Sequence, residues 1–316
     1  MQKNDKVYAP VFVSVIMILL LISDNIIKTA VINGADYYLS YTVVQLIVYM
    51  LPLAFYCKVR NMMFFKALKF NLFSRRYLFL TLFLGSIFLV GILFFLFIDL
   101  YYFNGKLIAN NVKTYNFAGE QSVYALLGFV IVPAIVKELL FRGVVLSEYR
   151  TYGAVCAILM SSFLFSFSSM NFSSVVILLY TGVFFGTIAV VTDSVIPSVI
   201  LHIMYNAFEI YAMDTVTVYM RKISDSAMPL FVLGLIIIIL LFFTFSTLEG
   251  MYRAKAEECD MQNEIIKKLN ALERKNNKSV SDEPKKSFVS SFSAVVISPF
   301  LWFCIAVFLI AAVINL

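Results

Sequence analysis

The amino-acid sequence predicts an all-α, polytopic integral membrane protein with about nine transmembrane helices. Hydrophobic residues make up 61% of the 316 residues and charged residues only 14%, and the mean hydropathy is +0.90. Soluble globular domains are roughly half apolar and about a quarter charged. Nine apolar segments are long enough to cross a bilayer, which takes roughly 20 residues each. Because these segments are continuously apolar, they predict helices and not the alternating strands of a barrel.

The first three predicted helices cover residues 8–31, 38–57 and 77–101. The first helix follows Lys3 and Lys6, as in a signal peptide, but it is too long for one and no small-residue cleavage site follows it. We therefore expect a retained helix. The basic stretch 58–76 alternates cations with Met, Phe and Leu. This pattern fits an amphipathic helix on the inner leaflet or a positively charged loop, and the sequence does not separate the two.

Four more helices with very short connections are predicted at 121–147, 152–169, 172–192 and 194–213, and two at 227–248 and 290–315. The charged stretch before the last helix places Ile265, Leu269 and Leu272 at helical spacing, and its end has the composition of a flexible linker. We divide the chain into N-terminal helices with a basic cytoplasmic loop (1–120), a core (121–213), an additional transmembrane helix (214–248), a charged cytoplasmic linker (249–289) and a C-terminal transmembrane helix (290–316).

The distribution of cations predicts the orientation in the membrane. With nine crossings and the N-terminus inside, 18 of the 25 lysines and arginines fall in inner segments, five in outer segments and two within a helix. Because cytoplasmic loops collect Lys and Arg, we expect a cytoplasmic N-terminus and a C-terminus outside. The cations are spread over several loops, so the net charge of +6 does not predict nucleic-acid binding.

Ionisable and amide side chains are concentrated in the predicted core. Glu138 and Arg142 are four residues apart, so they share a helix face and can pair. Lys137 lies about 100° around the helix from Glu138 and flanks that face. His202, the sole histidine, and Asn206 are again four residues apart. Because intramembrane ionisable groups are costly and face the protein interior, these side chains are candidates for a functional site.

Three stretches of this core together resemble one family. They are "IVPAIVKELLFRG", "SSFLFSFSSM" and "GVFFGTIAVVTDSVIPSVILHIMYNAF", within residues 121–213. Their order and spacing are similar to those of the CPBP family, the CAAX proteases and bacteriocin-processing enzymes, also called ABI. The resemblance implies a four-helix catalytic core, intramembrane endopeptidase activity, and motifs of the form Glu-Glu-x-x-x-Arg, Phe-x-x-x-His and His-x-x-x-Asn.

The resemblance also assigns roles to residues. Glu138, Arg142, His202 and Asn206 match the family motifs, whereas Lys137 stands at the first Glu of the Glu-Glu pair and Ser169 at the middle His. In the family, that Glu and that His are thought to activate the attacking water, and the last His and Asn to hold the oxyanion or help bind a metal. The resemblance therefore implies a site that lacks its general base and keeps its oxyanion side.

Structural interpretations stand beside the functional ones. For Glu138 and Arg142 we favour a structural ion pair that joins helices. His202 and Asn206 are equally consistent with interhelical hydrogen bonds. A further hypothesis pairs Lys137 as base with Ser169 as nucleophile, and gives His202 and Asn206 the oxyanion. Its alternative is that Lys137 pairs with an acid or extends toward the interface, and that Ser169 is a small packing residue.

The sequence predicts neither a metal nor another cofactor. One His, one Asn and one carboxylate already engaged by an arginine make a poor zinc site. The four cysteines are far apart and lack CxxC spacing, so disulfides or a thiolate metal site are not expected either.

Two functions remain open from the sequence. The first is an endopeptidase-like CPBP protein of weak or absent activity, which acts on a membrane-associated peptide or protein. The second is a non-catalytic scaffold, bacteriocin-immunity or regulatory protein that binds peptides or partner helices. A closed, dry polar cluster would favour the second function, and an open cavity would favour peptide binding. A transporter is disfavoured, because no inverted repeat or broken midplane helix is evident. Membrane lipid is an expected partner, and the family and the short loops indicate a bacterial plasma membrane.

Overall fold

The described part of the computed structural model is all-helical, as predicted. It comprises residues 7–60, 75–108, 121–247, 249, 292–293 and 295–314, and it contains no strand. Within this part the helices are α1 (Ala9–Ile32), α2 (Tyr37–Val59), α3 (Arg75–Phe103), α4 (Gln121–Tyr149, with wide turns), α5 (Ala154–Phe167), α6 (Phe172–Thr192), α7 (Ile196–Tyr211), α8 (Met213–Lys222), α9 (Met228–Thr247) and α10 (Pro299–Ile314).

Each of the nine predicted segments coincides with a helix, but nine crossings are not confirmed. Six helices in the described residues are long and apolar enough to span a bilayer. The remaining three, α5, α7 and α10, have only 14, 16 and 16 residues. The proposed inner-leaflet helix in 58–76 and the helical extension around Ile265 lie outside the described residues, apart from the ends of the first stretch. The division of the chain and the orientation of its ends stay predictions.

The sequence pattern did not reveal α8, because this helix is apolar on one face only. Met213 and Thr217 are buried, while Tyr219, Arg221 and Lys222 are exposed. A one-sided pattern gives a low average hydropathy, so α8 does not stand out as an apolar segment. It packs on α3 and α7 and is a surface helix of the described structure.

The buried side chains form two clusters. The larger cluster joins α1, α2, α4, α5 and α10. The smaller joins α3, α6, α7 and α8. Helices α5 and α6 pack closely as an antiparallel pair between the two clusters, and α7 lies against α4. In contrast, α9 is almost wholly exposed, and Phe243 stacks on Phe83 of α3 at a centroid distance of 6.2 Å.

Helix α4 contains two wide turns of π-helical geometry, Leu126–Ile131 and Leu139–Val145. Pro133 lies two residues beyond the end of the first. Proline has no N–H to donate to the carbonyl one turn earlier and its ring crowds that carbonyl, so a wider turn relieves the conflict. Wide turns are often found at functional sites. Carbonyls of these turns accept side-chain hydrogen bonds from other helices: Asn206 Nδ2 donates to Val130 O at 3.1 Å, and Ser161 Oγ donates to Phe141 O at 2.9 Å. The Phe141 carbonyl also accepts from the Leu146 N–H.

A buried carboxylate at the end of α4 joins three helices. Glu148 accepts hydrogen bonds from the Ala9 N–H of α1 at 2.8 Å and from the Tyr56 hydroxyl of α2 at 2.9 Å, and it pairs with Arg60 at 2.9 Å. The Arg60 guanidinium also lies 5.2 Å from the centroid of the Tyr8 ring. The first turn of α1 and the last turn of α2 are thereby held against the core helix.

We expect Glu148→Ala to lower the free energy of unfolding by about 2 kcal/mol, because it removes charge-assisted hydrogen bonds and leaves a buried N–H without an acceptor. Arg150→Met is the matched control. Arg150 forms a pair of the same length, 2.9 Å, with Asp193, but that pair is exposed. It should therefore contribute less than about 1 kcal/mol. Thermal unfolding in one detergent measures both variants, and equal losses would contradict the assignment of Glu148 as a helix clamp.

Candidate functional site

The centre of the site is a buried carboxylate shared by two basic side chains. Glu138 Oε1 lies 3.0 Å from Arg142 Nη1 and 2.7 Å from His202 Nδ1. The side chains of Glu138 and Arg142 are fully buried, and that of His202 is 3% exposed. The predicted pairing of Glu138 with Arg142 is confirmed. An ionised carboxylate accepts only, so Nδ1 of His202 carries the shared proton when the imidazole is neutral.

Arg142 also connects the centre to α6. Its Nη2 donates to the Gly182 carbonyl at 3.2 Å. Its guanidinium carbon lies 4.5 Å from the ring centroid of Phe165 and 5.6 Å from that of Phe185. Both rings also contact the His202 imidazole, at centroid distances of 5.8 and 5.3 Å. Side chains from α4, α5, α6 and α7 thus enclose one charged cluster, and the aromatic faces offset part of the cost of burying a cation.

Gly182 permits this enclosure. A Cβ atom at this position would lie 2.8 Å from Cα of Ser162, closer than such atoms approach in proteins. A Cβ atom at Gly186, one turn later, would lie 3.3 Å from the side-chain Cγ2 of Ile158. Small residues four apart are typical of closely packed membrane helices. The sequence contains this signal at residues 182–186, and the site predicted from the charged and amide side chains does not include it.

Three polar atoms at the centre have no hydrogen bond among the described residues: Oε2 of Glu138, and Nε and Nη1 of Arg142. Nη1 still lies 3.0 Å from Glu138 Oε1 as an ion pair. Ser198 approaches the Glu138 carboxylate from α7, but its hydroxyl donates to the Val195 carbonyl at 2.8 Å. Ser198 and Phe185 are two site residues that sequence reasoning missed. Each is an ordinary residue of an apolar helix, so no pattern marks it.

Asn206 lies beside the centre without joining it. It is one turn beyond His202 on α7, and it is 8% exposed. Its side-chain amide bonds to Val130 O and thereby ties α7 to the first wide turn of α4. The predicted interhelical hydrogen bond of Asn206 is confirmed, and its role at an oxyanion stays a prediction.

Lys137 and Ser169 occupy the positions where the family has its water-activating residues. Both are partly exposed. The carboxylates of Glu209 and Glu138 act electrostatically on the Lys137 ammonium. Ser169 Oγ donates to the Ser166 carbonyl at 2.8 Å, and no hydrogen bond joins it to Lys137 in the described structure. The structure thus brings Glu138, Arg142 and His202 into direct contact, and it does not assemble a serine–lysine pair. The catalytic roles of all six residues stay predictions.

No group of three or more His, Cys, Asp or Glu side chains that could hold a metal ion occurs in the described residues. Of the donors at the centre, Glu138 Oε1 is engaged by a guanidinium and His202 Nδ1 is bonded to that same oxygen. This donor set offers few free ligand atoms. The expectation that the protein needs no metal or other cofactor is not tested by this observation.

Fold and site together define an all-helical integral membrane protein with a buried carboxylate, guanidinium and imidazole at the centre of a helical core. Residues 119–208 match the family model described as type II CAAX prenyl endopeptidase Rce1-like. This match confirms the resemblance to the CPBP proteases over the predicted core, so this part of the protein is intramembrane-endopeptidase-like. Searches among curated proteins and among solved structures gave no match.

Proposed function

We propose that the protein binds membrane-associated peptides through its Rce1-like core and has lost hydrolysis by the water-activating route of the family. The observation that carries this proposal is the engagement of Glu138. Its Oε1 is bound by Arg142 and His202 in a closed cluster, while Lys137 stands where the family places a carboxylate base. A general base must be free to accept a proton from water. A lysine ammonium cannot, and the Glu138 carboxylate is held between two donors.

The closed centre favours a non-catalytic protein over an active protease, and it leaves only the edge of the cluster for a peptide. Glu138, Arg142 and His202 are shielded by the rings of Phe165 and Phe185. The groups at the edge of the cluster, Lys137 and Asn206, retain some exposure. We infer that a peptide reaches this edge, and that the inner ion network holds the four helices in position. On this proposal the host membrane is a bacterial plasma membrane, with the N-terminus in the cytoplasm.

A cleavage assay tests the loss of hydrolysis. The protein is reconstituted in nanodiscs with a farnesylated, internally quenched peptide that ends in a CAAX sequence. We expect the rate of the unmodified protein to equal that of empty nanodiscs. The double variant Lys137→Glu/Ser169→His places the family's Glu and His at these two positions. Because a positioned general base contributes about 100-fold or more in rate, we expect this variant to cleave the peptide about 100-fold or more above background.

The control is Lys106→Glu, an equal charge change at an exposed lysine outside the core, which should leave the rate at background. Fluorescence anisotropy with the same peptide reports binding independently of cleavage. Rapid cleavage by the unmodified protein that disappears in Ser169→Ala would refute the proposal and favour the serine–lysine hypothesis instead.

A further inference from the structure

Helix α8 packs on the protein with one face and leaves the other face exposed. Three residues of the packed face lie in or against the smaller hydrophobic cluster, which also contains side chains of α3: Met213, Val216 and Met220. The opposite face carries Val218, Tyr219 and Lys222, which share that face because they are three and four residues apart. Val218 is 50% exposed and Tyr219 63% exposed. The free face of α8 is thus partly apolar, unlike the polar face of a helix that borders water.

The neighbouring helices hold α8 close to the membrane surface. Only Ala212 separates it from α7, and residues 223–227 separate it from α9, which is long and apolar enough to span a bilayer. An extended chain covers at most about 3.5 Å per residue, so five residues reach about 18 Å. The exposed apolar surface also continues from α8 through Ile223 to Met228 and Phe231 at the start of α9. The free face of α8 therefore lies within reach of the headgroup region.

The residues at this surface are of the types that membrane proteins place at the membrane–water interface. The Lys222 Nζ lies 5.2 Å from the centroid of the Tyr219 ring, and Arg221 beside it is also exposed. The turn after α3 adds the exposed Lys106, and Ile108 of this turn packs against the cluster that contains the buried face of α8. Tyrosine rings favour the headgroup level, and a lysine stem can follow apolar surface while its ammonium reaches a phosphate.

These charges favour lipid over a second copy of the chain as the group that covers α8. A twofold interface presents the same surface from both copies, so cations near its axis would face each other. Such a contact between like charges is unfavourable. An anionic headgroup, in contrast, complements Lys106, Arg221 and Lys222. The exposed Asp225, in the turn beyond α8, opposes this attraction.

We propose that the exposed face of α8, together with Lys106, binds anionic phospholipid headgroups at the surface of the membrane. Val218 and Tyr219 lie among the upper parts of the acyl chains and the glycerol groups, and Lys106 and Lys222 contact the phosphates. This surface contains no residue of the buried cluster around Glu138, so it does not depend on the proposed function. It makes α8 an in-plane helix that anchors the ends of α3 and α7 to the membrane surface.

Tryptophan fluorescence in vesicles tests this surface. Trp302 is the only tryptophan of the chain, so Tyr219→Trp combined with Trp302→Phe reports from α8 alone. The protein is reconstituted in phosphatidylcholine with a fixed fraction of brominated phosphatidylglycerol or of brominated phosphatidylcholine. We expect both brominated lipids to quench the fluorescence. We also expect the relative affinity to favour phosphatidylglycerol by about fivefold for each cation that contacts a headgroup.

Charge variants in the same background identify the cations responsible. Lys106→Gln/Lys222→Gln should lower the preference for phosphatidylglycerol towards one, and Asp225→Asn should raise it. The matched control is Lys28→Gln, which removes an exposed lysine of α1 and should leave the preference unchanged. Equal quenching by the two lipids, unaltered by Lys106→Gln/Lys222→Gln, would overturn the recognition of anionic headgroups.

Absence of quenching at position 219 would overturn the contact with lipid altogether. If quenching then appears when the protein is diluted in lipid, a second copy of the chain covers α8 instead. Hydrogen exchange of the unmodified protein, measured in nanodiscs of each lipid, requires no substitution. Slower exchange of the amides of residues 213–222 in phosphatidylglycerol is expected. Equal exchange in the two lipids would contradict the proposal even if the tryptophan variant does not fold.

Discussion

Replacement of Glu138 by alanine is expected to destabilise the protein by about 3–5 kcal/mol, the largest effect of any substitution in the core. The substitution leaves the Arg142 guanidinium buried between Phe165 and Phe185, and among the described residues only the Gly182 carbonyl, at 3.2 Å, stays as an oxygen partner. It also removes the acceptor of His202 Nδ1. An uncompensated charge in a dry interior is costly, and α4 cannot move it to water without unpacking α5 and α6.

A double-mutant cycle separates loss of the pair from loss of packing. Glu138→Met and Arg142→Met should each be strongly destabilising, and the double variant should be less so than the sum of the two, because no charge is then left unpaired. Urea or SDS titration of the purified protein, followed by circular dichroism, gives the three values. If the single losses simply add, the two side chains do not act as a pair, and the assignment of the cluster as the structural centre fails.

Replacement of Gly182 by alanine should be the next most damaging change, at about 1–3 kcal/mol. The new methyl group would lie 2.8 Å from Cα and Cβ of Ser162, and Cα belongs to the backbone and cannot rotate away. Helices α5 and α6 must therefore separate, and the carbonyl that Arg142 uses moves with α6. The packing strain and the weakened hydrogen bond both lower the free energy of unfolding.

Gly234 on α9 provides the matched control. It is also a helical glycine, but a Cβ atom there would meet nothing within 4 Å. Gly234→Ala should be neutral or slightly stabilising, because alanine favours helix formation by about 1 kcal/mol over glycine. The melting temperatures of the two variants in the same detergent give the comparison. Equal shifts would show that the approach of α6 to Ser162 is not as tight as the structure indicates.

The helices could be predicted from composition, because the bilayer imposes a simple rule. A segment whose backbone must satisfy itself in lipid becomes a helix, and all nine apolar segments do so. The contact between Glu138 and Arg142 could also be predicted, because a spacing of four residues fixes it within one helix. The number of membrane crossings could not be predicted, because helices α5, α7 and α10 are shorter than the apolar stretches that contain them.

Contacts between helices depend on tertiary packing, which no local pattern encodes. The bond from His202 to Glu138 joins residues 64 positions apart, and the enclosure by Phe185 depends on how closely α6 approaches α5. The sequence alone established that charged residues are concentrated within the membrane-spanning core. It also established that Lys137 and Ser169 stand where the family has Glu and His. Only the tertiary structure decided that Glu138 is the shared centre, that Ser169 donates to the Ser166 carbonyl and not to Lys137, and that Lys137 remains without a close counterion among the described residues. The physical reason is that spacing along one helix fixes which side chains share a face, whereas the partner across a helix interface is chosen by close packing at small residues such as Gly182.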